Sequence, residues 1–163
     1  MTETIKKNVL IGTVLALMMI LGFLMGSYIH ALFYQIVMFV VILVLPLILM
    51  LYTRKKAGGY LNYGKTFQAG FLPILTGIFI LSLFYFVYLQ YINPLAFEYE
   101  KQKTTANLKA AGISDEIIKD TTAHMRPIKT AFTYFLTFWI ISTLACLFYA
   151  AFCYKSEVQK LPY

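Results

Sequence analysis

Along this chain apolar and polar positions are gathered into long blocks rather than alternating with the period of a half-buried strand or an amphipathic helix. From Asn8 to Thr53 there are 46 residues without an Asp, Glu, Lys or Arg. A hydrocarbon layer about 30 Å thick is crossed by roughly 20 helical residues, so this block is too long for one span and right for two. Thr66 to Phe97 and Thr130 to Tyr154 are likewise free of charge. The pattern predicts an all-α fold, a four-helix transmembrane bundle with an extramembrane helical hairpin between spans three and four. The chain reads as a single integral membrane domain, 1–163, with spans at about 9–25, 33–52, 67–92 and 131–154 and the hairpin at about 93–128.

Punctuation residues set the turns. Gly26-Ser27-Tyr28-Ile29-His30 is where the first block folds back, since glycine frees the backbone and Tyr28 and His30 suit a wet interface. Asn93-Pro94 closes span three and restarts a helix, with Asn as N-cap and Pro at the first helical position. That helix is expected to run past Glu98, Lys101 and Leu108 to a stop at Gly112. Ser114 is placed to cap a second helix, with Asp115 and Glu116 favourable to its dipole and Ile113 and Ile118 forming a hydrophobic staple. The second helix presents Ile117, Thr121 and Met125 on one side, the candidate surface for a protein partner. Thin apolar stripes give such a hairpin little stability of its own.

Composition agrees with a membrane class: 60% of residues are hydrophobic and 13% charged, against about 25% charged in soluble domains. The net charge of +7 raises the question of nucleic acid, but its placement points to lipid. Lys6, Lys7, Arg54, Lys55, Lys56, Lys65, Lys155 and Lys160 fall at the termini and in the loop after span two, opposed only by Glu3 and Glu157. The segment from Glu98 to Lys129 is nearly balanced, with six basic and five acidic residues. The positive-inside rule then predicts a multi-pass protein of the cytoplasmic (inner) membrane with both termini cytoplasmic. Tyr28, Tyr34, Tyr88, Tyr91 and Tyr134 fall at the outer boundary, and Tyr52, Tyr60, Tyr63 and Tyr154 at the inner one. Lys6-Lys7 before an apolar stretch also resembles a signal peptide. That stretch, of about 17 residues, is longer than a signal core and lacks a small-x-small cleavage site, so span one is expected to stay.

Within lipid, helices associate through close packing of small residues. Gly12, Ala16, Gly22 and Gly26 lie on one arc of span one, and Gly70, Pro73 and Gly77 on one arc of span three. Both are expected to face neighbouring helices, with a homo-oligomer through Gly22 and Gly26 as the sharper alternative. Pro46 and Pro73 remove backbone donors inside spans two and three and are expected to kink them. Ser142, Cys146, Tyr149 and Cys153 share a face of span four. A metal there needs two further ligands, and His30 and His124 belong to the opposite side, so the cysteines read as packing residues. Thr130, Thr133 and Thr137 form a hydroxyl face that can bond back to its own helix. No ionisable residue lies in the apolar part of a span, which argues against a proton relay or pump.

Gly59-Tyr60-Leu61-Asn62-Tyr63-Gly64-Lys65-Thr66 matches the phosphate-loop pattern G-x-x-x-x-G-K-[ST]. That pattern works when a strand feeds the loop, and an acidic Mg²⁺ partner stands nearby. Here a membrane span precedes it and the next aspartate is Asp115, on the other side. The match is read as chance: no nucleotide, cofactor, metal or nucleic acid is expected, and no enzyme. Arg54, Lys55 and Lys56 instead anchor the inner leaflet, Gly58-Gly59 turns the chain, and Tyr60, Leu61, Tyr63 and Phe67 enter the interface.

The stretch Gly58 to Phe71, the pattern Tyr88-x-x-Tyr91-Ile92-Asn93-Pro94, and Gly112-Ile113-Ser114-Asp115-Glu116 in a charged segment together resemble the small Bacteroidetes membrane proteins grouped as domain of unknown function DUF4199. The resemblance covers nearly the whole chain and implies four spans, with no established activity and no catalytic residues to carry over. The functional expectation is an accessory or scaffold component that binds another membrane or envelope partner. The alternative is a small transporter or channel, single or oligomeric, using kinked spans and intramembrane hydroxyls.

Overall fold

The computed structural model describes residues 3–26 and 31–154, without side chains at 3–5, 25, 26, 31–35 and 38. Six α-helices occur among the described residues, with no strand: α1 Glu3–Gly26, α2 Ala31–Lys56, α3 Tyr63–Val87, α4 Pro94–Ala110, α5 Asp115–Ala123 and α6 Pro127–Cys153. A π-helical turn, Tyr88–Ile92, extends α3. The expected turn at Ser27–His30 lies outside the described residues.

Three helices are long and apolar enough to cross a bilayer: Lys6–Leu24, Tyr63–Ile92 and Pro127–Cys153. Four spans were expected from the charge-free blocks. The second helix, whose last turn carries Arg54, Lys55 and Lys56, is not among the three. The helices also overrun the expected span edges: α3 begins at Tyr63 rather than Phe67, and α6 at Pro127 rather than Ala131. A backbone ladder has no reason to stop where the hydrocarbon does.

The chain divides into two compact units, residues 1–81 with 137–163, and residues 82–136. In the first, α1, α2, the start of α3 and the end of α6 run up, down, up and down. Lys7 Nζ near the start of α1 stands 5.9 Å from the Tyr52 ring near the end of α2, so these neighbours are antiparallel. Arg54 Nη1 donates to the Cys153 carbonyl at 3.2 Å, which brings the end of α6 to the end of α2. The interior holds two clusters. Met50, Cys146, Ala150 and Cys153 pack with Leu47, Phe67, Phe71 and Tyr149. Met19 and Ile42 pack with Leu15, Val41, Leu81 and Phe138. Most remaining large side chains on these helices face outward, as expected where the solvent is lipid rather than water.

The second unit contains the end of α3, the π turn, α4, α5 and the start of α6. Its buried residues are Leu89, Phe97, Ile118 and Ala131, one from each of the last four of these elements.

Candidate functional site

The described basic residues of the first unit gather at one end. The contacts of Lys7 with Tyr52 and of Arg54 with the Cys153 carbonyl bring the start of α1, the α2–α3 loop and the end of α6 together. Arg54 also donates through Nε to the Gly59 carbonyl at 3.2 Å, while the Arg54 carbonyl accepts from Gly59 N at 3.0 Å. One guanidinium thus ties the α2–α3 loop to the last turn of α6. Gly58 and Gly59 have φ of +75° and +91°, a left-handed pair that reverses the chain at little steric cost. Lys55 and Lys56 are exposed beside them, and Lys155 and Lys160 lie outside the described residues.

The segment 59–66 takes a specific local form. The element before it is helix α2. Asn62 caps α3, its Oδ1 accepting from Lys65 N at 2.9 Å and its carbonyl from Thr66 N at 3.0 Å. The Thr66 hydroxyl is fully buried and donates to the Asn62 carbonyl at 2.9 Å. Tyr63 donates to the Leu147 carbonyl at 3.3 Å and meets the Tyr154 ring edge-on at 6.1 Å.

The small residues sit at tight helix crossings. A Cβ built on Gly12 collides with the Pro73 carbonyl oxygen and stands 2.8 Å from Thr76 Cβ, so α1 and α3 meet backbone to backbone. One turn on, a Gly77 Cβ meets the Gly12 carbonyl oxygen and Leu15 Cδ2, each at 3.3 Å. A Gly70 Cβ approaches the Pro46 carbonyl oxygen at 3.2 Å and the Met50 side chain, at the α2–α3 crossing. Ala16 is buried, Gly22 is half-buried, and the surroundings of Gly26 lie outside the described residues. Ser142, Cys146 and Cys153 are buried and Tyr149 half-buried, with Ser142 Oγ donating to the Phe138 carbonyl at 2.6 Å. Thr130 and Thr133 bond back to the Arg126 and Lys129 carbonyls at 3.2 and 2.9 Å. Among the described residues no three His, Cys, Asp or Glu side chains converge as a metal set.

The α4–α5 hairpin is built largely as its sequence implies. Asn93 Oδ1 accepts from Ala96 N at 3.2 Å with Pro94 opening α4, and Asn93 Nδ2 donates to the Tyr88 hydroxyl at 3.1 Å. At the far end Ile113 N donates to the Leu108 carbonyl and Gly112 N to the Lys109 carbonyl, at 3.1 and 3.0 Å, with Gly112 at φ +74°. These paired bonds complete a glycine-terminated helix end. One local expectation fails: Ser114 stands at the N-cap of α5, but its side chain makes no capping bond. Its carbonyl takes the first helical bond, from Ile118 N at 3.1 Å. On α5, Ile118 faces inward at 4% exposure while Ile117 stands out at 57%; Thr121 is exposed and Met125, beyond the helix end, is half-buried.

Two features of the second unit had no signal in the sequence. The π turn places Asn93 N on the Tyr88 carbonyl at 2.8 Å, five residues back, which sets the register at which α4 begins. Tyr85 and Tyr134 meet edge-on at 5.1 Å, joining α3 and α6 within the second unit, and the Glu100 carboxylate of α4 lies close enough to interact with both. The Arg54 bond to Cys153 spans 99 positions and was equally illegible.

No curated protein and no solved structure matches the chain. The model of a family described as a protein of unknown function, DUF4199, matches residues 9–155. With the packing glycines and the hairpin inside that match, which covers most of the sequence, the chain belongs to the DUF4199 family.

Proposed function

We propose that this protein crosses a cytoplasmic membrane four times, keeps both termini in the cytosol, and serves as an accessory or scaffold for another membrane or envelope component. The partner docks on the face of α5 that carries Ile117 and Thr121. The observation carrying this reading is the division of α5, which spends Ile118 on its own unit and leaves Ile117 on the open side. A helix that turns one isoleucine inward and its neighbour outward has a fixed orientation, so the outward face is a defined surface.

Support for α2 as the fourth span comes from its charge-free run up to Thr53 and from its packing against α3 through Pro46 and Met50. The gathered basic end supports the cytosolic assignment of the termini, because lysine and arginine are retained on that side and drawn to anionic headgroups. Both prolines lie in close glycine-lined crossings, which favours a packing role over a solute path. A non-enzymatic reading is supported by the segment 59–66. Asn62 occupies two of the amides a phosphate needs, and the Thr66 hydroxyl is buried and turned back on its own helix.

Photo-crosslinking amino acids placed at Ile117 and Thr121 in intact cells test the docking face. Capture of one dominant membrane or envelope protein is expected, and capture of lipid and self alone overturns the proposal. Solute flux through reconstituted vesicles would shift the reading to a transporter. Thiols introduced as S156C and A106C test the orientation, with only the latter expected to react with an impermeant reagent on intact cells.

A further inference from the structure

Within residues 82–136 a row of exposed apolar side chains recurs at every fourth position: Leu83, Val87, Tyr91, Leu95 and Tyr99. The first three belong to α3 and its π turn and the last two to α4, on either side of the non-helical Asn93, so the fourfold spacing is kept in sequence across the break. Tyr91 is 72% exposed, Leu95 79% and Tyr99 66%, so most of each side chain is uncovered, with the Phe86 ring edge-on to Tyr91 at 6.4 Å. Phe97 lies about 200° around α4 from both Leu95 and Tyr99 and is the residue this helix buries. Lys101 covers the Phe97 ring at 4.9 Å and pairs with Glu98 at 3.4 Å. The next position in the row is Lys103, exposed and charged, so the apolar row has a defined end after two turns of α4.

Length places this row in depth. Tyr63–Ile92 comprises 30 residues, about 45 Å at 1.5 Å per residue. A bilayer measures about 30 Å across its hydrocarbon and about 40–45 Å with its headgroups. A helix crossing with Tyr63 at one headgroup layer therefore delivers Ile92 to the other, and α4 begins there.

We propose that the first two turns of α4 form a membrane-interface element, with Leu95 and Tyr99 inserted at the boundary of headgroups and acyl chains. The occupant of this surface is lipid, because α4 begins at the headgroup layer that a 30-residue spanning helix reaches and its first turns leave Leu95 and Tyr99 exposed there. Leucine supplies apolar area, tyrosine suits the headgroup level, and Lys103 extends its stem to a lipid phosphate. The inference rests on α3 being a span, and its test separates the two claims.

The test uses W139F protein, which has no other tryptophan, with single reporters at L83W, L95W, Y99W and K109W. Each is reconstituted into phosphatidylcholine–phosphatidylglycerol vesicles carrying bromine either shallow or deep on the acyl chain, and titrated with aqueous iodide. L83W is expected to be quenched by deep bromine, L95W and Y99W by shallow bromine, and K109W by iodide alone. Iodide quenching of L95W and Y99W is expected to be at least twofold weaker than that of K109W. If L95W and Y99W behave like K109W while L83W is quenched by bromine, the interface proposal falls and the span stands. If L83W escapes bromine too, both fall. Shielding of L95W and Y99W from bromine and iodide alike would mean a protein covers the row, and would also overturn the proposal. Y99W keeps an aromatic ring at its position and serves as the reporter should L95W fold poorly.

Discussion

Gly12→Ala is the sharpest perturbation of this architecture, because a single added carbon has nowhere to go. The new Cβ meets the backbone oxygen of Pro73, which cannot swing away, and stands 2.8 Å from Thr76 Cβ. Carbon atoms settle at about 3.5–4.0 Å, so α1 must withdraw from α3 by about 1 Å. A gap of that size forfeits roughly a quarter to a half of the attraction of each atom pair it opens. In lipid that loss is not recovered through the hydrophobic effect, since packing is what drives helix association there. The expected cost is about 1–3 kcal/mol, the range for overpacking a close-fitted site. Gly77→Ala, whose Cβ meets its nearest neighbours at 3.3 Å, requires only a small adjustment and is expected to cost less than 1 kcal/mol. Gly64→Ala has nothing within 4 Å and lies in the first turn of α3, so it is expected to stabilise by about 0.4–1 kcal/mol. Reversible unfolding of the purified protein in mixed micelles, followed by circular dichroism against the mole fraction of SDS, ranks the three. If Gly12→Ala proved as harmless as Gly64→Ala, the α1–α3 crossing would not be where Gly12 and Pro73 place it.

Arg54→Gln removes the donors to the Gly59 and Cys153 carbonyls and is expected to cost about 1–2 kcal/mol, the low end for bonds from a charged group at a half-buried site; the same unfolding assay measures it. Asn93→Ala strips the cap from α4 and a partner from the Tyr88 hydroxyl. About 1 kcal/mol is expected, read as faster amide exchange confined to 95–98. Ile118→Ala is expected to cost about 2 kcal/mol or more locally, as a buried isoleucine truncated to alanine, and to raise amide exchange across α4 and α5. Ile117→Ala is expected to leave that exchange unchanged, and equal effects of the two would show that the orientation assigned to α5 is wrong.

The primary structure alone determined that the chain is helical and built for lipid, because blocks free of charge over Asn8–Thr53, Thr66–Phe97 and Thr130–Tyr154 have few other uses. It also determined the hairpin's turns, since Asn93-Pro94 and Gly112 act through local backbone preferences that need no distant partner. Helix ends were another matter: the apolar pattern marks where lipid ends, whereas α3 starts at the Asn62 cap and α6 at Pro127. Serine at position 114 showed the limit of local rules, as a residue type suited to capping does not oblige its hydroxyl to cap. Tertiary structure decided the rest. A glycine arc says that something approaches, but only the packed helices show that the approaching group at Gly12 is the Pro73 carbonyl. Likewise Arg54 reads as one more interfacial cation until the fold brings Cys153 to it from 99 positions away. Nor does any periodicity announce Glu100 as the partner of Tyr85 and Tyr134. Such contacts join residues far apart in the chain, and their energies depend on ångström-scale positions that only the assembled helices define.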